Sequence, residues 1–382
     1  MKTETINLAS PSPGTQRSLT LYRFGNADAR PKVYIQAGLH ADEWPGLLVI
    51  QHLIPLLRDC QAHGRITGEI IVVPYANPVG MGQNVFGYTA GRFDLAGTGN
   101  FNRNFGDLYP PVKEAVANKL GHDEGENQRL VRDALKEAVS RLPAESEASQ
   151  LKKALLSLSI DADYIFDLHC DDHSSAHIYA VEQQTAKAKD LCQSLGFDYL
   201  FTEGLDGIVA FDGTHLQPWY RLAQEFPDLP VPMPALAVTV EYRGQYDIND
   251  ELAEADALNL FNYLAEQKVL FSATPESETV KTRYKLPLVS PLGAVDTVLA
   301  QSTGLLIYKH GLNTMIQEGE TFAEIILLDQ PPPSNRQPVI ARTQGVLMAM
   351  THRKLVKPGD LIAKIAGQSP LEHRQAGNLL QL

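Results

Sequence analysis

Val33-Tyr34-Ile35-Gln36-Ala37-Gly38-Leu39-His40-Ala41-Asp42-Glu43-Trp44-Pro45-Gly46 is the stretch on which the fold turns. Its first five residues form a short run rich in β-branched and aromatic side chains, as expected of a buried strand. A glycine ends that run, and an apolar helical pattern opens at Leu47. Pro45 suits the first turn of such a helix, where a missing N–H costs little. Strand, turn and helix in this order begin a βαβ unit. The polar residues between them fall at the carboxyl end of the strand, where open α/β sheets keep their sites.

The same alternation continues from about Lys32 to Gln267. Further strands are predicted at Glu69–Val73, Tyr164–Leu168, His177–Val181 and Leu236–Val240, and helices near 45–58, 126–141, 147–158, 185–195 and 250–267. In the helix near 126–141, Leu130, Ala134, Ala138 and Leu142 recur at four-residue steps and make an apolar stripe. Residues 79–106 lack such a period and hold seven glycines in 28 residues, which predicts a long functional loop. The polar stretch 272–282 reads as a linker, and beyond it the helical patterns stop. Short apolar runs punctuated by Gly and Pro follow to about Gly367, with Gly304-Leu305-Leu306-Ile307 and Gly345-Val346-Leu347-Met348 opening two similar units. The expected division is an α/β domain over 1–271, the linker 272–282, an all-β domain over 283–368 and a tail over 369–382.

Composition bounds the function. The chain has 382 residues, with 33 Lys and Arg against 45 Asp and Glu, for a net charge of −12. With 44% hydrophobic and 20% charged residues it has the material for a sizeable core, which sets disorder aside. Excess carboxylate argues against a nucleic acid or an anionic membrane as the main partner. Cys60, Cys170 and Cys192 show no CxxC spacing, and three cysteines cannot all pair, so a reducing compartment is expected. No signal-peptide pattern and no membrane-length apolar window is visible, and the expected location is the cytoplasm.

The chemistry gathers at strand ends. His40 and Glu43 are three residues apart at the start of a predicted helix, and Asp167-Leu168-His169 ends another strand. Two histidines and a glutamate form the ligand set that leaves a zinc ion one open position for water. Hydrolysis also needs a base, and Glu241, leaving the run Leu236–Val240, is placed to supply one. Asp167 lies two residues before His169, on the same strand face, and is a candidate hydrogen-bond acceptor for its imidazole.

Gly-x-His-x-x-Glu-x-x-Gly at 38–46, Asn77-Pro78, Asn102-Arg103, Asp167-Leu168-His169 and Val240-Glu241 occur in the order found in the succinylglutamate desuccinylase/aspartoacylase family, which the chain resembles from about residue 30 to 367. That resemblance implies a zinc-carboxypeptidase-like three-layer α/β/α domain with a mixed central sheet. A smaller all-β domain, similar to the barrel-sandwich fold of carrier domains, would follow it. It further implies one Zn²⁺ per chain on His40, Glu43 and His169, with Glu241 as base and acid, Asn102 and Arg103 on a substrate carboxylate, and Arg92 on the oxyanion. A guanidinium matches a carboxylate better than lysine does. Ala96-Gly97-Thr98-Gly99 are additional to the family pattern, and Arg221 and Arg243 are the nearest matches to its other substrate-binding arginine.

The expected function is a zinc-dependent amidohydrolase acting on a small anionic N-acylated amino acid or amine. The alternatives are a zinc carboxypeptidase acting on short peptides and, from another class, a non-catalytic zinc-binding or carrier protein. A carrier needs an acceptor lysine between its two half-units, and 328–338 contains none. The β-rich part is then expected to shape the site entrance or to form an oligomer contact.

Overall fold

The computed structural model describes residues 1–205, 209–271, 284–372 and 374. A nine-stranded mixed sheet forms its centre. In chain order its strands are β1 (Lys2–Asn7), β2 (Ser18–Gly25), β3 (Lys32–Ala37), β4 (Glu69–Val73), β5 (Tyr164–Asp171), β6 (His177–Val181), β7 (Tyr199–Glu203), β8 (Leu236–Gly244) and β9 (Leu288–Pro291). They lie in the order β1-β2-β4-β3-β5-β8-β6-β7-β9. The segment β4-β3-β5-β8 is parallel, and β6 enters antiparallel to β8. All the strands expected from the sequence are present. β1, β2, β7 and β9 were not anticipated in this sheet: β1 is polar and β9 lies beyond the expected linker, whereas β2 and β7 carry apolar runs that the expected strands leave out.

Among the described residues, seven helices of eight or more residues cover the sheet: α1 (Pro45–Ala62), α2 (Tyr109–Val116), α3 (Glu124–Ser140), α4 (Glu147–Ser159), α5 (Thr185–Leu195), α6 (Phe211–Glu225) and α7 (Asp250–Glu266). Strand alternation divides the core between the two faces. Val33, Ile35, Val72 and Phe166 pack with Leu53 of α1, Leu191 of α5 and Leu260 of α7. Tyr34, Ile71, Val73 and Ile165 pack with Val112 of α2, Leu135 of α3, Leu155 of α4 and Trp219 of α6. This is the expected three-layer arrangement. Pro45 occupies the first turn of α1, whereas Glu43 lies just before the helix, in a turn closed by its N–H donating to the His40 carbonyl at 3.2 Å. Gly46 lets α1 approach the sheet, since a Cβ there would stand 2.8 Å from the Leu168 Cβ.

The region after β9 consists of small antiparallel sheets. The opening runs of both expected units are strands, Gly304–Tyr308 and Gly345–Met350, and the glycines that follow each, Gly319 at φ +81° and Gly359 at φ +91°, take the left-handed region. The expected linker 272–282 lies outside the described residues. This region is tied to the carboxyl end of β5. The Asp172 carboxylate accepts a hydrogen bond from the Thr351 hydroxyl at 2.5 Å, and His173 stacks on His352 at 4.7 Å. Asp171 pairs with Lys364. The run Asp171-Asp172-His173 therefore links the two regions. No helix among the described residues is long and apolar enough to cross a membrane.

Candidate active site

Strand register builds the site. His169 of β5 is paired with Glu241 of β8, and Glu241 with His177 of β6. One step down, Gln36, Asp167, Thr239 and Tyr179 form a second row across four strands. Alternation sends these residues to the face covered by α6 while their neighbours enter the opposite core. The ladder shifts just after Glu241, where Arg243 takes φ +61°, and such irregularities often lie beside active sites.

Glu43 is the hub. Its Oε1 lies 2.9 Å from His40 Nδ1 and its Oε2 2.7 Å from His169 Nδ1. The Cys170 N–H donates to Oε2 at 3.1 Å, and Arg92 Nη1 donates to Oε1 at 3.0 Å. His40, Glu43 and His169 are buried, with ligand atoms within 4.8 Å of one another. The far side of each imidazole faces an oxygen: His40 Nε2 is 2.8 Å from Asn100 Oδ1, and His169 Nε2 is 2.9 Å from Asp167 Oδ2. Asn100 Oδ1 also accepts from the Asn102 N–H at 2.8 Å, and Gln36 holds Asp167 through a 2.8 Å hydrogen bond.

This arrangement tests whether a metal fits. The Asn100 acceptor assigns the His40 ring proton to Nε2 and leaves its Nδ1 lone pair aimed at Glu43, while His169 Nε2 has the Asn102 amide Nδ2 at 3.5 Å beside it as well as Asp167 Oδ2 at 2.9 Å. Two imidazole nitrogens and a carboxylate that converge on one point are held together only with a cation, a proton or a metal ion, among them. The donor set therefore suits a divalent ion, and without one a proton takes its place. Burial opposes charge on His169, yet Asp167 and Glu43 hold its pKa well above the usual histidine value. Burial and Arg92 bring His40 down to about 4. Burial works to raise Glu43, but the flanking histidines keep it well below the carboxylate range.

Beside the hub lies a cavity of about 110 Å³. Glu241 lines it, and its Oε2 is buried without a hydrogen-bond partner among the described residues. Burial first, and then the field of Glu43, push its carboxyl up to about 8. Arg92, Asn102 and Arg103 line the same cavity, so all seven expected site residues meet in one place. Asn102 is anchored by accepting from the Phe211 N–H at 2.8 Å, and Arg103 Nη1 donates to the Asn102 carbonyl at 2.6 Å. Arg221 and Arg243 lie elsewhere, paired with Asp107 and Asp256.

Sequence reasoning missed Asn100, Glu203, Asp212 and Lys364. Lys364 alone carried a signal, a single charge inside the apolar run Leu361-Ile362-Ala363-Lys364-Ile365-Ala366. It enters the cavity from the β-rich region.

The comparisons agree with the geometry. Residues 29–267 match the model of the succinylglutamate desuccinylase/aspartoacylase catalytic domain. No curated protein matches the chain. Among solved structures, a succinylglutamate desuccinylase/aspartoacylase family protein from Shewanella amazonensis is similar with a TM-score of 0.81 at 23% identity, covering 96% of this chain and 98% of that one. A structure of the same description from Shewanella frigidimarina gives 0.82 at 22% identity, covering 97% and 98%. One from Rhodobacter sphaeroides gives 0.66 at 15% identity, covering 96% and 95%. At these identities the likeness carries the fold.

Proposed function

The chain belongs to the succinylglutamate desuccinylase/aspartoacylase family, and from that premise we propose that it is a zinc-dependent amidohydrolase. Its substrate is a small amino acid or related amine bearing an acyl group on nitrogen. The observation that carries this reading is the convergence of His40 Nδ1, His169 Nδ1 and the Glu43 carboxylate beside the unpartnered Glu241 Oε2. Imidazole and carboxylate ligands without thiolate also accept other divalent ions.

His40, Glu43 and His169 hold the zinc. When bound, it acidifies a water and polarises the acyl carbonyl. Glu241 takes the proton of the attacking water and passes it to the departing nitrogen, so that the amine leaves neutral. Arg92, half-exposed at the cavity wall, faces the oxygen on which negative charge grows. Asn102 and Arg103 grip a substrate carboxylate and set the amide against Glu241.

The test is hydrolysis of a panel of N-acyl amino acids and short peptides by zinc-loaded protein, beside Glu241→Gln. Release of free amino acid from the N-acyl compounds, lost in the variant while zinc stays bound, is expected. Unchanged turnover in Glu241→Gln would sink the mechanism, and cleavage of peptides alone would make the protein a carboxypeptidase.

A further inference from the structure

We propose that the β-rich region is held to the α/β domain by an acid-sensitive joint, the stacked imidazoles of His173 and His352, and that a second proton on this pair loosens the turn carrying Glu43 and lowers turnover. Only the effect on turnover rests on the amidohydrolase reading; the joint uses side chains that the proposed chemistry leaves idle.

Strand pairing brings the two histidines together. His173 and Ser174 pair antiparallel with Met350 and Ala349, at the end of the strand Gly345–Met350. His352, just beyond Met350, lays its ring on that of His173, with centroids 4.7 Å apart and planes 6° from parallel. Tyr246 sets its ring edge-on to His352 at 4.7 Å and reaches the Trp44 ring at 6.3 Å. Trp44 directly follows Glu43 in the chain, so a column of rings runs from the β-rich region to the turn that carries Glu43. A polar connection lies beside it. The Gln245 N–H donates to the Asp172 carbonyl at 3.1 Å, and the Gln245 side-chain amide donates to the Asp42 carbonyl at 3.0 Å. Displacing the stack therefore pulls on both chain neighbours of Glu43.

Two neutral imidazoles stack favourably, and an imidazolium stacks on an imidazole as well. Two imidazoliums face to face repel. Nearby charges do not remove that repulsion. Asp172 and Asp247 act on His173 from one side and Lys354, a like charge, from another. An Asp172 oxygen already accepts from the Thr351 hydroxyl at 2.5 Å and the His352 N–H at 3.1 Å, and Asp247 accepts from the Gly244 N–H at 2.9 Å. Burial and then His352 hold His173 below the usual histidine value, against the pull of Asp247 and Asp172. A histidine held below its unfolded value contributes in full above about pH 6.5, and that contribution is lost as pH falls below it. A purely structural contact would ask only for flat rings, whereas a pair of imidazoles makes the contact conditional on pH.

The test follows the joint by hydrogen exchange and the site by turnover of N-acetyl amino acids, on zinc-loaded protein between about pH 7 and about pH 5, with metal content measured at each step. The reporter is the Ser175 amide, which donates to the Met348 carbonyl at 3.1 Å across the joint. Its protection factor is expected to fall on the order of tenfold over that range, and kcat/KM at constant metal content to fall with it. His352→Phe keeps a flat ring that cannot take a proton. It should remove the loss of protection and move the acid fall in kcat/KM to lower pH, and His173→Phe does the same should the first variant fail to fold. Protection that holds in the parent protein, or falls equally in a folded variant, overturns the joint. An acid fall in kcat/KM that His352→Phe leaves in place overturns the regulatory role. Failure to hydrolyse any N-acyl amino acid would instead overturn the amidohydrolase reading, and the exchange measurements still decide the joint.

Discussion

The two ends of β3 and β5 both bury charge, and they treat it in opposite ways. At the amino end, Lys32 lies 2.5 Å from Asp161, Arg30 lies 3.0 Å from Asp163, and Arg132 lies 2.5 Å from the other oxygen of Asp163. The Lys32 N–H also donates to Asp163 at 2.7 Å. At the carboxyl end, both imidazoles place Nδ1 against one carboxylate, at 2.9 and 2.7 Å, while Glu241, Glu203 and Asp212 face a cavity without ion-pair partners among the described residues. Buried charge that is completely paired ties helices and strand starts together. Buried charge left incomplete is poised for something from outside, which on the proposed function is a metal ion, a water and a substrate.

The largest effect should come from removing the base at the incomplete end. Glu241→Gln is expected to lower kcat on the order of 10²- to 10⁴-fold, as measured by amine release, while metal content and melting temperature hold. A loss of bound metal in that variant would instead place Glu241 among the ligands. At the complete end the reverse should follow. Lys32→Met leaves Asp161 with Arg30 alone and should cost about 2 kcal/mol in denaturant unfolding, with kcat/KM per folded molecule unchanged. A variant that lost activity and kept its stability would break the comparison.

Asn100→Ala is the subtler change. It removes the oxygen facing His40 Nε2 and should weaken metal affinity roughly tenfold in a chelator competition. An unaltered affinity would mean that the loop does not orient the ligand.

The smallest effect is a tilt of stability with pH, opposite in sign at the two ends. Burial works to raise Asp161, but Lys32 and Arg30 hold it below the ordinary carboxylate value. Its contribution is therefore complete above the unfolded range and is lost as pH falls through the depressed folded value. Glu203 is raised from 4.5 to about 8, so its contribution is complete below the unfolded value and is lost as pH rises towards about 8. Melting curves recorded across this range should show Asp161→Asn flattening the acid limb and Glu203→Gln flattening the alkaline one.

How much of this was legible beforehand depended on sequence distance. β3 and the turn after it could be read because their signals are local: a β-branched run, a glycine at φ +72° in Gly38, and a proline ready for the first turn of α1. α6 could not, since Gly213 and Pro218 interrupt its pattern and its helical form depends on packing Phe211, Leu216 and Trp219 against the sheet. Asn100 looked like any polar residue of a glycine-rich loop. Its role exists only because the loop folds back until its Oδ1 stands 2.8 Å from His40. Arg221 and Arg243 illustrate the converse, since their residue type invited a substrate role that lateral packing gave to salt bridges.

The sequence by itself determined where five of the nine central strands and five of the seven longer helices lie, and which residues can bind metal, because strand period, turn chemistry and ligand type are properties of a few neighbouring residues. Only the tertiary structure decided which acids remain without partners. Asp161 and Glu203 are both carboxylates at strand ends, and nothing within a few residues of either says that one will meet a lysine and an arginine while the other faces a cavity. That difference is set by strand order and register between segments far apart in the chain, because a charge is paired or unpaired only in relation to what the fold brings beside it.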